Sequence, residues 1–150
     1  MPVNPEVEGR TYPAIPTYSV SRTKIAEFAA AVGANDPVHT DVEHARSLGY
    51  ADVVAPPTFA VIIAQQAEGA AITDPDAGID FSRLVHGEES FTHHRPLVAG
   101  DEVTAATTVD RVRSAGGHSM VTLKTAITTV DGAAVCDVNC VVVIRGGDDA

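Results

Sequence analysis

Residues 58–71 read TFAVIIAQQAEGAA. Phe59, Val61, Ile62, Ile63, Ala64 and Ala67 put apolar side chains around most of one helix, which Pro56-Pro57 is suited to open. A helix apolar on most sides has to be wrapped by other elements. The second half of the chain offers the wrapping. Arg83 to Arg95 is a first candidate strand, and Val103, Ala105, Thr107 and Val109 alternate in a second. Val121, Leu123 and Ile127 mark a third, and Cys136, Val138, Cys140, Val142 and Ile144 alternate in a fourth. Gly100-Asp101, Gly116-Gly117 and Asp131-Gly132 are the turn signals between them. Helices first and an antiparallel meander after them predict an α+β fold. A meander curled around the apolar helix satisfies this pattern, and so does a sandwich with the helix on one face.

Upstream, Thr17 to Val20 reads as a short strand after a Pro- and Gly-rich loop over Gly9 to Pro16. Ser21 is a predicted N-cap, with Val20 able to staple to Ile25. Ile25, Phe28, Ala29 and Val32 then recur on one helical face, and Gly33 stops the helix. The spacing Thr40-x-x-Glu43 predicts a capping box for a second helix that leaves at Gly49. Ala34 to His39 is thus a short loop held between two capped helices, where side chains can be fixed as a site requires.

The chain has 150 residues, and 1–150 reads as one domain. It lacks Trp and has only 5% aromatics, so its core must be built from Val, Ile, Leu and Ala. A net charge of -10 works against phosphate-tracking of nucleic acid and against adhesion to an anionic membrane. No apolar run approaches the roughly 20 residues needed to span a bilayer. The polar, acidic start lacks the pattern of a signal peptide, so a cytoplasmic location is expected. Cys136 and Cys140 lie on one strand face about 13 Å apart. That is too far for a disulfide, and buried free thiols are expected.

The stretch 28–60, FAAAVGANDPVHTDVEHARSLGYADVVAPPTFA, and the stretch 84–103, LVHGEESFTHHRPLVAGDEV, together resemble the MaoC-like (R)-specific hydratases and dehydratases. The nearest likeness is to the actinobacterial subfamily that includes subunits of the mycolic-acid 3-hydroxyacyl dehydratases. The resemblance implies a hot-dog fold, an antiparallel sheet wrapped around a central helix. It implies dehydration of a (3R)-hydroxyacyl thioester, or hydration of the enoyl thioester, in fatty-acid metabolism. The thioester would be carried by acyl carrier protein or coenzyme A. In that family a loop Asp and a loop His handle one water and one Cα proton, and a backbone N–H at the central helix start polarises the carbonyl.

Position by position, Pro37 and His39 match the family's Pro and His. Ala34 stands at the family's Asp, and Asp36 at its Asn. Pro56-Pro57 falls where the family has His-Gly, and a proline has no N–H to donate. The expected catalytic pair is Asp36 and His39, with Asn35, Pro57, Thr58 and His86 lining the substrate site. Thr58 is the replacement donor at the helix start, through its amide or its hydroxyl. Each residue also has a plain reading: His39 as a cap on the second helix, Asp36 as an Asx turn before Pro37, Asn35 as a turn residue and His86 as structural. His93 and His94 are adjacent on a strand and point to opposite faces, and Glu88 and Glu89 fail as a pair for the same reason. No metal and no cofactor are therefore expected.

Two functions compete. In one the chain is itself the dehydratase. In the other it is a non-catalytic, acyl-binding subunit that pairs with a catalytic hot-dog chain. A hot-dog thioesterase is a weaker third, since only Thr58 and Asp52 stand near the central helix start. Exposed sheet edges predict a homodimer or a heterodimer with another hot-dog subunit. An acidic carrier would need a local basic patch, for which Arg83, Arg95, Arg111 and Arg113 are candidates.

Overall fold

A computed structural model describes residues 2–147. The elements in chain order are β1 (Tyr18–Ser19), α1 (Arg22–Val32), α2 (Val42–Ser47), α3 (Ala60–Ile72), β2 (Leu84–His93), β3 (Glu102–Ala115), β4 (His118–Thr129) and β5 (Ala134–Ile144). The strands form one sheet in the order β1-β3-β4-β5-β2, and every pairing is antiparallel. The last four strands correspond to the four candidates read from the sequence. Strand residues facing α3, such as Val103, Ala105, Ile127, Cys136 and Val138, alternate with outward ones and pack with Phe59, Ile63, Ala64 and Ala67 of the helical segment. The sheet curls around α3, which is the hot-dog arrangement. The side of α3 at Gln65 and Gln66 stays exposed.

Local chemistry fixes the ends of the helices. Ser21 accepts from the Lys24 amide to cap α1, as predicted. Gly33, at φ 71°, ends it in the left-handed conformation that glycine adopts without strain. Phe28 of α1 meets Phe59 edge to face at 5.5 Å, which ties α1 to the start of α3. Val32, expected on the buried face, is 51% exposed, and the buried residues of α1 are Ile25 and Ala29. The cap of α2 is Asp41, whose side chain accepts from the His44 amide, and not Thr40. Thr40 instead closes the 3₁₀ turn Pro37–His39, its N–H reaching Pro37 O, so the helix starts one residue later than the capping-box spacing indicated. Pro57–Phe59 likewise forms a 3₁₀ turn that leads into α3.

The two sheet edges differ. Residues 9–15, read from sequence as plain loop, run along β3, with Gly9 N–H donating to Val109 O, Tyr12 N–H to Thr107 O and Ile15 N–H to Ala105 O. The outer edge of β2 has no strand partner among the described residues. A bulge between His86 and Glu88 interrupts β2. Gly87 sits there because a Cβ would meet Val143 Cγ2 at 3.3 Å and Val141 O at 3.4 Å. No described helix is long and apolar enough to cross a membrane. Cys136 and Cys140 are free and buried, as expected.

Candidate active site

Around the loop before α2, short-range bonds hold each polar side chain. Asp36 accepts from the Val38 amide at 2.9 Å, which makes it the cap of the Pro37–His39 turn. This is the Asx geometry that an Asp before a proline favours. His39 Nδ1–H donates to Val54 O at 2.6 Å. A carbonyl can only accept, so the proton is on Nδ1 and the Nε2 lone pair is left as the base. His39 therefore braces the segment before α3 and does not cap α2. Val38 O accepts from Val54 N–H, so two bonds join the loop to the approach of α3.

His39 opens onto a cavity of about 420 Å³ with Ala55, Pro56, Pro57, His93 and Leu97. His93 comes from the end of β2, stacks on Phe91 at 6.1 Å, and its Nε2–H donates to Pro57 O at 2.8 Å. Sequence reasoning excluded His93 from a metal site and assigned it nothing. His94, read from sequence as the next strand residue facing the other way, lies just past the end of β2, meets Asp137 at 2.9 Å and lines the same cavity. The arrangement holds two imidazoles, His39 and His93, each with one ring nitrogen bonded to a backbone carbonyl and the other left basic, beside a helix start where Pro56 and Pro57 lack an N–H. Thr58 is exposed there and supplies the first amide.

Asp36, Asn35 and Thr58 do not line this cavity. Asp36 and Asn35 are exposed on the loop. His86 is also separate, facing a second cavity of about 670 Å³ with Gln65, Glu68, Ile72, Ile79 and Leu84. The structure thus brings His39 and Pro57 together, and does not bring His86 to them. Asp52, the carboxylate that the thioesterase reading needed, is bound through both oxygens by Arg22, at 3.0 Å and 2.7 Å, and Arg22 holds it below the usual carboxylate range. Of the candidate carrier-binding cations, Arg95 is committed to Asp101 by two bonds of 2.8 Å and 3.1 Å.

The second cavity contains a feature that sequence did not indicate. Glu68 of α3 is 2% exposed, and its Oε1 has no hydrogen-bond partner. Burial pushes its carboxyl up to about 7, and the nearby Glu89 carboxylate pushes the same way. Burial also raises the Cys140 thiol well above the usual range, with Glu68 and Glu89 adding to the effect.

Comparison with known proteins now decides the family. The family model of the FAS1-like dehydratase domain region matches residues 7–138. This chain belongs to that family. A UPF0336 protein of Clavibacter michiganensis is 51% identical over 148 residues, 99% of both chains. A UPF0336 protein of Saccharopolyspora erythraea is 44% identical and covers 100% of both. Among solved structures, the C-terminally truncated HadBC (3R-hydroxyacyl-ACP dehydratase) complex of Mycobacterium tuberculosis superposes with TM-score 0.82 at 29% identity, covering 91% of this chain and 96% of that one. A MaoC-like dehydratase superposes with TM-score 0.86 at 31% identity over 95% of this chain and 43% of its own length. Family membership carries the MaoC-like, hot-dog resemblance seen in the sequence.

Proposed function

We propose that this chain works in the reversible hydration of enoyl thioesters as one subunit of a (3R)-hydroxyacyl-thioester dehydratase, and that it is the acyl-holding partner of a catalytic hot-dog chain. The observation that carries this reading is the place of the loop carboxylate. Ala34 stands where the family has its acid. The remaining carboxylate, Asp36, caps its own turn and lies outside the cavity that His39 opens onto. The cavity offers imidazoles but no carboxylate to share the handling of water, and Pro57 has no N–H for the developing enolate. The substrate would be an acyl-ACP or acyl-coenzyme A. The free edge of β2 is the surface on which a second hot-dog sheet would add. Complexes of hot-dog subunits such as HadBC and the ChsH1-ChsH2 complex, the latter similar in fold at TM-score 0.71, support such a pairing. A cytoplasmic location follows from a carrier-bound substrate.

A second reading has a specific observation in its favour. His39 is held by Val54 O with its basic nitrogen free, as a working general base would be. In that reading the chain is itself the dehydratase, with His39 and Asp36 as its acid/base pair.

The test uses the purified chain alone and a short enoyl-coenzyme A. Wild type is expected to show no hydration above the solvent rate. Ala34→Asp restores a carboxylate five residues before His39, at a helix exit where Asp is easily accommodated, and is expected to gain measurable hydratase activity, with the Thr58 amide as donor. An active wild type that loses about 10²-fold or more on His39→Ala would establish the second reading instead. Native mass spectrometry at low micromolar concentration is expected to show a dimer rather than a monomer.

A further inference from the structure

The bulge at Gly87 changes which residues of β2 share a face. In a regular strand His86 and Glu89, three apart, point to opposite sides. Here His86 is opposite Val142 and Glu89 is opposite Cys140, and both of those β5 residues are buried under α3. His86, Glu89 and Cys140 consequently converge, each offering one ligand atom, with all three atoms within 4.8 Å of one another.

A cluster of this sort is ordinary on an acidic surface, but this one has an independent feature. Glu68 reaches the same place from α3. It lines the cavity onto which His86 opens, the Glu89 charge acts on it, and its own charge acts on Cys140. Its Oε1 is fully shielded from solvent and unpartnered. Other buried polar groups of the core are matched: Thr107 Oγ1 and Thr125 Oγ1 are 2.6 Å apart, and Ser119 Oγ accepts from the Val3 amide. No ion pair among the described residues involves Glu68 or Glu89. Glu68 and Glu89 thus lie close enough for their charges to oppose one another, with no cationic side chain paired to either among the described residues. A buried carboxylate without a partner is costly unless it is neutralised.

We propose that His86, Glu89 and Cys140 bind zinc(II) at the β2 edge of the sheet beside α3, with the Glu68 carboxylate next to it as counter-charge. A thiol, an imidazole and a carboxylate form a donor set for zinc rather than for magnesium or calcium, which take oxygen ligands. Tetrahedral zinc ligands at about 2.0–2.3 Å from the metal stand about 3.3–3.6 Å apart. Donor atoms within 4.8 Å of one another stand near that spacing. On binding, the Cys140 S–H bond breaks, its proton leaves to buffer through the cavity, and the S–Zn bond forms without any change of oxidation state. Three protein ligands leave a fourth position facing the cavity. The site is separate from His39 and does not depend on the function proposed above.

The test strips the full-length chain with a chelator and titrates it with cobalt(II), then with zinc(II). One cobalt per chain is expected, with a thiolate-to-cobalt charge-transfer band in the near-ultraviolet that zinc abolishes. Cys140→Ala should remove the band, and Cys136→Ala should keep it. His86→Ala, at an exposed position where folding is not at stake, should weaken zinc binding at least about 10-fold, and Glu68→Gln by about 10-fold. Absence of the band at saturating cobalt overturns the proposal. So does a band that survives in Cys140→Ala, or binding that His86→Ala leaves unchanged.

Discussion

At the N-terminal end of α3, His39 is bonded to Val54 O, His93 to Pro57 O and Asp36 to the Val38 amide. Further along the same helix, Glu68 is more deeply buried than any of these and its Oε1 has no partner. The first region is preorganised: its side chains are oriented by the backbone before any ligand arrives. The second is incomplete, and a proton or a cation would finish it. Satisfied polar groups rigidify a site, whereas an unsatisfied buried one makes stability depend on what binds there. The two ends of α3 should therefore respond differently to substitution, the front in rate and the back in stability.

The largest effect is expected at the front. In the Ala34→Asp background, His39→Ala should reduce enoyl-thioester hydration by about 10²- to 10⁴-fold, the usual contribution of a positioned general base. Circular dichroism should remain that of the parent, since His39 lies on a loop. Activity that survives His39→Ala would mean that the restored carboxylate works with another base and that the Val54 bond is only structural.

The back of α3 should respond to pH. Glu68 has its carboxyl raised from 4.5 to about 7 in the folded chain. Between those two values the folded state keeps a proton that the unfolded chain has released. Stability therefore falls as pH rises through this window, and the loss is complete above 7. Glu68→Gln cannot ionise. In metal-free buffer it should match wild type near pH 4.5 and exceed it at pH 8 by at most about 3 kcal/mol. Urea unfolding at the two pH values measures the difference. Equal stabilities at pH 8 would show that Glu68 ionises without cost and has a partner in solution.

The two regions also differ in how far the sequence revealed them. The front was visible because its signals are local. Pro37-x-His39, the caps and the Pro56-Pro57 start of a helix with a wide apolar circumference all lie within a few residues of one another. The sheet was visible too, since Val103 to Ile144 alternates with few interruptions. Cap details were less visible: Thr40 and Asp41 both suit an N-cap, and only backbone geometry selects Asp41. The cluster at the back could not be read at all. Its members come from three separate segments, and the two from β2 share a face only because of the bulge at Gly87. Strict alternation separates His86 from Glu89, and the expectation of no metal was drawn from His93 and His94 without weighing this group. Gly87 was the one available signal, as an isolated glycine inside a strand pattern often marks a bulge.

A smaller effect is expected where the two regions are tied together. His93 belongs to β2, as do His86 and Glu89, yet it holds the carbonyl of Pro57 at the front. His93→Ala removes that bond and the stacking on Phe91, and should cost about 1 kcal/mol in urea unfolding. It should leave the cobalt band unchanged. A change in that band would show that the two ends are coupled through β2 and are not independent.

The smallest effect is expected from Asp36→Asn, and it separates the two functional readings most directly. Asn at this position still presents a side-chain oxygen to the Val38 amide, and Asn and Asp are nearly equal as caps. The turn Pro37–His39 should be preserved, and stability should change by only a few tenths of a kcal/mol. An amide, however, cannot serve as a proton carrier. If Asp36 is a cap and nothing more, the hydration rate gained by Ala34→Asp should remain within about twofold when Asp36→Asn is added, against the 10²-fold or greater loss expected of an acid/base group. The double variant therefore assigns Asp36 by rate alone, with the fold held constant. A large loss there would make Asp36 part of the chemistry, and the subunit reading would then lose the observation on which it rests.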